Sequence, residues 1–108
     1  MSAYNIVSVA GSDPSGGAGI QADLKSFSAH GTFGMSVITA LTAQSTRGVT
    51  GVHGIPPEFV THQLDTLLTD ANVHAVKIGM LATAEVTEAV AEAIDRYELP
   101  NVVVDPVM

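Results

Sequence analysis

The feature that most constrains this chain is the stretch Ala10-Gly11-Ser12-Asp13-Pro14-Ser15-Gly16-Gly17-Ala18-Gly19. It lies between an apolar run (Ile6, Val7, Val9) and a helical pattern (Ile20, Leu24, Phe27). Its glycines leave little side-chain bulk, so the backbone can approach a bound group closely and turn with φ > 0 at low cost. A helix starting after the loop points its free N–H groups back into it, equivalent to about +0.5 charge, which suits an anionic or strongly polar ligand. Gly11 and Gly16 have the spacing of a phosphate-binding GxxxxG loop, but Gly17 and Ala18 stand where that loop needs Lys and Ser/Thr. Gly17 to Ala22 fits G-x-G-x-x-A, yet no acidic residue lies between Asp23 and Glu58 to hold a dinucleotide ribose. A strand, a bare loop and a helix start still make a ligand site, with a glycine-rich turn that merely packs a helix on a sheet as the other reading.

The rest of the chain alternates in type. Asn5 to Ala10 reads as a buried strand and Ile20 to about His30 as a helix ended by Gly31. Gly34 to Gln44 reads as one β-branched strand, and Ser45 to Ile55 as loop or short edge strand. Pro56-Pro57 opens a helix to about Asp70 whose buried face carries Phe59, Val60, Leu64, Leu67 and Leu68. Ala75 to Gly79 is a further strand. Thr83 caps a helix with a stripe of Val86, Ala89, Val90, Ala93, Ile94 and Tyr97, and its solvated face takes Glu85, Glu88, Glu92, Asp95 and Glu98. Asn101 to Asp105 is a last strand, continuous in apolar character as if covered on both faces. Such alternation predicts an α/β fold with right-handed crossovers and a ligand site at the carboxyl ends of the strands. The glycine loop, Gln44, the Gly79-Met80-Leu81 turn and Asp105-Pro106-Val107-Met108 then converge on one pocket.

Several classes of function are set aside by composition. The 108 residues amount to at most one ordinary domain, and an apolar share of 46% suffices for a core. A formal charge of −7 with four Lys+Arg argues against nucleic acid and anionic membranes as partners. No apolar run is long enough for a membrane helix and no leader pattern opens the chain, so the expectation is a cytoplasmic protein. Cysteine is absent, and His30, His53, His62 and His74 lack metal-ligand spacing.

Four ordered segments carry a resemblance: residues 10–25 (AGSDPSGGAGIQADLK), 42–49 (TAQSTRGV), 77–81 (KIGML) and 103–108 (VVDPVM). Together they resemble the hydroxymethylpyrimidine/phosphomethylpyrimidine kinases of thiamine biosynthesis. The resemblance implies a ribokinase-like three-layer α/β/α fold with a mostly parallel sheet, of which residues 1–108 are the amino-terminal βαβ portion of a single kinase domain. It also implies ATP and Mg²⁺ as cofactors, with phosphorylation first of the hydroxymethyl group of the pyrimidine and then of its monophosphate. Because family members are roughly twice this long, their catalytic base and glycine-rich anion hole are expected beyond Met108, and the chain alone is expected to be inactive.

Residue by residue, the resemblance implies that Gln44 reads the aminopyrimidine edge with its donor and acceptor. Asp23 accepts from the amino group or shapes the pocket, a surface acid being the other reading. Ala18, Met80 and Val107 match apolar pocket walls, with plain packing as the alternative. Gly11 and Asp13 meet the hydroxymethyl or phosphate end, and Asp105 faces Mg²⁺ through water, unless it is a strand-end cap. Lys77 reads as a surface or strand-edge charge. A non-catalytic pyrimidine-binding module and a pyridoxal-type vitamin kinase remain as alternative functions. A sheet edge left without cover predicts a homo-oligomer.

Overall fold

The computed structural model describes residues 4–105, so Val107 falls outside the described residues. Nine elements follow in order: β1 (Asn5–Ala10), α1 (Gly19–Ala29), β2 (Phe33–Ile38), β3 (Ala40–Ser45), β4 (Gly48–Gly54), α2 (Pro57–Leu68), β5 (Ala75–Ile78), α3 (Ala84–Arg96) and β6 (Val102–Val104). Four strands form one parallel sheet in the order β2-β1-β5-β6, and β3 and β4 pair antiparallel as a separate hairpin. No helix among the described residues is long and apolar enough to cross a membrane.

The alternation along β1 sorts its side chains to two faces. Val7 and Val9, with Val37, Val76 and Ile78 of the neighbouring strands, pack on Val60 and Leu64 of α2 and on Val86, Val90 and Ala93 of α3. The opposite face carries α1, which lies so close to β2 that a Cβ on Gly34 would come within 2.9 Å of Leu24 Cδ2 and 3.0 Å of Phe27 Cδ2. Three layers result, as expected. The connections explain the layering: a right-handed crossover from β1 to β2 puts α1 on one face, whereas those to β5 and β6 run the other way and put α2 and α3 on the second. Thr83 caps α3 by accepting from the Val86 amide at 3.1 Å, and Pro57 sits at the first position of α2.

Three sequence expectations need correction. The run from Gly34 to Gln44 is two strands, broken at Thr39, which is fully buried. There the amide donates to Ala10 O (3.0 Å), the hydroxyl to Met80 O (2.6 Å), and the carbonyl accepts from Ile55 N (3.0 Å). These tertiary bonds turn the chain off the sheet where its composition gives no local break. Of the two readings of Ser45 to Ile55, loop or short edge strand, the strand holds: β4 forms because β3 gives it a partner. Phe59 is 52% exposed, since α2 meets the core through Val60 and Leu64, one position further round. β6 is an edge strand: Val103, beside Lys77 on the α1 face, is 59% exposed because α1 covers only the β1–β2 half of that face, and Val104, beside Ile78 on the opposite face, is 65% exposed at the sheet edge.

Candidate functional site

Strand order reverses at β1: the chain first moves to β2, then crosses back to β5 on the other side. Loops leaving the carboxyl ends of β1 and β5 therefore diverge and leave a crevice, the usual ligand position in open α/β sheets. A cleft of about 440 Å³ opens there. Gly11, Gly79 and Met80 form its floor, Ala18 and Ala22 one wall, and Gln44, Val49 and Val52 of the β3–β4 hairpin the other. Asp23, Lys77 and Asp105 supply its charged end.

The floor depends on missing side chains. The Ile20 amide donates to Gly11 O at 3.0 Å, folding the loop back on β1, and a Cβ on Gly19 (φ +58) would stand 2.4 Å from that same oxygen. Only glycine fits there.

The loop amides, expected to face a ligand, instead bind the chain's own carboxylate. Asp13 Oδ2 accepts from Gly17 N (3.0 Å) and Ala18 N (2.8 Å), and Oδ1 accepts from Ser15 N (2.9 Å) and Ser15 Oγ (2.6 Å). The Ser15 hydroxyl bond lowers the Asp13 pKa from its ordinary value; burial opposes this, and the amides of Ser15, Ala18 and Gly17 reinforce it. Asp13, 2% exposed, therefore lines the cleft but spends its charge on shaping the loop.

Asp23 is likewise committed within the protein. Its side chain, 9% exposed, accepts from Ser8 Oγ at 2.7 Å and pairs with the Lys77 ammonium, so it joins α1 to β1 and β5. Lys77 also lies 3.3 Å from Asp105 Oδ2. Burial alone would lower the Lys77 pKa, but the two carboxylates outweigh it and the net shift is upward. Lys77, read from sequence as a peripheral charge, is thus the cation of the cleft. A lysine inside the short apolar strand Ala75–Ile78 was the available signal, because a charge in such a setting requires a partner.

Gln44 is aimed by backbone. Thr42 and Gln44 fall on the same side of β3 by strand alternation, and the extra residue on β4, Thr50, lets Val49 stand opposite Gln44 as Val52 stands opposite Thr42. Gln44 Oε1 lies 3.2 Å from Thr42 Oγ1, and its Nε2 has no partner among the described residues. Ala18, Met80 and Gly11 line the cleft, and Thr42, Val49 and Val52 line it without having been singled out. Their place follows from the hairpin, which sequence alone did not reveal.

No group of three or more His, Cys, Asp or Glu among the described residues is arranged to hold a metal ion. Asp105, 61% exposed and beside the Lys77 ammonium, offers one carboxylate. That donor set fits a hydrated hard cation touched through water and does not fit a protein cage.

The sequence matches the family described as phosphomethylpyrimidine kinase over residues 13–108. It is 57% identical to the hydroxymethylpyrimidine/phosphomethylpyrimidine kinase of Escherichia coli (strain K12) across 100% of this chain and 41% of that protein. The chain thus spans less than half the length of such relatives. The crystal structure of phosphomethylpyrimidine kinase from Clostridium difficile 630 superposes with a TM-score of 0.93 at 48% identity, over 97% of this chain and 46% of that one. Pyridoxal kinase from Staphylococcus aureus, solved in complex with AMP-PCP and pyridoxal, reaches a TM-score of 0.88 at 36% identity, over 100% and 40% respectively. With the fold, the cleft and this continuous match in agreement, the chain belongs to the phosphomethylpyrimidine kinase family.

Proposed function

We propose that this chain forms the substrate side of an ATP-dependent kinase acting on 4-amino-5-hydroxymethyl-2-methylpyrimidine and then on its monophosphate, giving the diphosphate used in thiamine biosynthesis. The observation that carries the reading is Gln44: a side-chain amide, donor and acceptor at once, set by the alternation of β3 on a cleft otherwise walled by Ala18, Met80, Val49 and Val52. A flat heteroaromatic ring with a polar edge matches such a slot, apolar on its faces and hydrogen-bonding at one rim.

In this reading Gln44 fixes the ring edge, Met80 and the hairpin valines exclude water from its faces, and Gly11 and Gly79 permit close approach of the hydroxymethyl end. Lys77 adds positive charge beside the place where phosphate accumulates. Phosphoryl transfer is chiefly a matter of positioning and of neutralising charge. ATP would supply the phosphoryl group, and Asp105 would hold Mg²⁺ through water, the ion's charge serving to neutralise the phosphate oxygens. AMP-PCP in the pyridoxal kinase of Staphylococcus aureus supports ATP as donor. A reaction drawing on the cellular ATP pool favours a cytoplasmic location. Because Asp13 occupies the amides of Gly17 and Ala18, these offer no anion hole, and the chain by itself is expected to bind substrate without turning it over.

Calorimetric titration tests the assignment. The hydroxymethylpyrimidine should bind the chain more tightly than pyridoxal, and Gln44→Ala should weaken it by about tenfold or more, the effect of losing one or two hydrogen bonds from a desolvated site. Tighter binding of pyridoxal would favour the other vitamin kinase, and unchanged affinity in Gln44→Ala would overturn the role of Gln44. ADP release from the folded chain would refute the expectation of binding without turnover.

A further inference from the structure

Gln44 has two chemically opposite ends, and the neighbour that holds one decides which the cleft sees. Thr42 Oγ1 lies 2.8 Å from Ser12 O and 3.2 Å from Gln44 Oε1. A hydroxyl has a single hydrogen and can donate to only one of these two oxygens. The Ser12 carbonyl has the stronger claim. It is nearer, Ser12 is 9% exposed, and the two residues are already paired through the Thr42 amide, which donates to Ser12 Oγ at 3.1 Å. Buried carbonyls of this kind are nearly always supplied with a donor. With the hydrogen committed to Ser12, an amide oxygen facing Thr42 would meet lone pairs, whereas a half-turn of the Gln44 amide brings Nε2 to the same spot as a donor.

We propose that Thr42 is a positioning residue: its hydroxyl donates to Ser12 O, accepts from Gln44 Nε2, and so leaves the Gln44 carbonyl oxygen facing the cleft. The site then selects a ring that presents a donor there, such as an exocyclic amino group, over an otherwise identical ring presenting an oxo group. The choice of ligand rests on the pyrimidine reading above; the orientation of the amide does not.

Three forms of the chain decide it: the parent, Thr42→Val, which keeps the shape and removes the hydroxyl, and Thr42→Ser, which restores it. Without ligand, one Gln44 side-chain amide proton in ¹⁵N-labelled protein should be shifted and slowed in hydrogen exchange in the parent and the Ser variant. It should revert to free-amide behaviour in the Val variant. Indistinguishable Gln44 amide signals in all three overturn the proposal. With ligand, the affinity ratio of 4-amino-5-hydroxymethyl-2-methylpyrimidine to its 4-oxo counterpart should be about tenfold or more in the parent and the Ser variant, as expected for one mismatched hydrogen bond, and should collapse toward unity in the Val variant. Equal weakening of both ligands, with the ratio kept, would show a purely structural role and overturn the proposal. If neither ligand binds the parent, the pyrimidine reading fails, and the amide signals alone decide the role of Thr42.

Discussion

Replacing Lys77 by Met tests whether the charged end of the cleft is also a structural joint. The ammonium joins β5 to Asp23 on α1, whose side chain is only 9% exposed and whose remaining donor is Ser8 Oγ at 2.7 Å. Removing one partner of a fully buried pair costs about 3–5 kcal/mol, because the other charge stays behind unpaired. Lys77 is 29% exposed, so solvent screens part of the pair in the parent and reaches the carboxylate in the variant, which reduces the expected loss to about 2–3 kcal/mol. For a domain near this size the loss corresponds to a drop in Tm of roughly 10–20 °C. Thermal unfolding followed by circular dichroism at neutral pH measures it. Adding Asp23→Asn removes the stranded charge while keeping an acceptor for Ser8, so the double variant should recover part of the loss. The pH dependence gives an independent check. Since the folded-state pKa of Lys77 is raised, its contribution is fully present below the ordinary value of 10.5 and disappears as pH climbs through the folded value. The gap between parent and variant should therefore narrow above about pH 10.5. A Lys77→Met protein within about 0.5 kcal/mol of the parent at neutral pH, the level of an ordinary surface change, would refute the joint.

Three further perturbations probe other parts of the structure. Asp13→Asn should destabilise at neutral pH, and because the Asp13 pKa is lowered, the difference from the parent should shrink as pH falls below the ordinary 3.8; acid titration of unfolding checks this, and a pH-independent difference would contradict it. Gln63 brackets the end of β2, accepting from Ile38 N at 3.0 Å and donating to Ile38 O at 2.9 Å, so Gln63→Leu should cost about 1–3 kcal/mol in urea unfolding by leaving both groups without that partner. The exposed Val103 and Val104 on the β6 edge are expected to drive self-association, which Val103→Lys should weaken in sedimentation velocity; a parent chain that stays monomeric at every concentration would refute this.

Elements whose boundaries are set by local chemistry were legible in the sequence. Thr83 and Pro57 open their helices, Gly31 (φ +73) follows α1, and the valines of β1 mark a covered strand. Thr39 was not legible, because a β-branched residue inside a β-branched run looks like more strand, and only bonds to Ala10, Met80 and Ile55 make it a corner. The hairpin was hidden with it. In the site, Gln44, Ala18, Met80 and Gly11 could be placed because they sit at strand ends or in the glycine loop. Asp13 and Asp23 were visible as acids at the right places, but Asp13 is held by the fold of its own loop and Asp23 by a lysine 54 residues away. No periodicity encodes such a partnership, which is why Lys77 was underrated.

The central position of β1 has a kinetic consequence. β1 and β2 are joined through α1 by a short crossover, so this unit closes early and cheaply. The other side of β1 waits for β5, whose Ala75 pairs with Ile6 only after the hairpin and α2 lie between them. Contacts of long sequence separation form late, since the entropy of closing the loop must be met first. Gly79 and Met80 arrive with β5, so the crevice does not exist until that slow pairing is made. Time-resolved ligand binding would therefore lag secondary structure during refolding, and would report on the closing of a single strand pair.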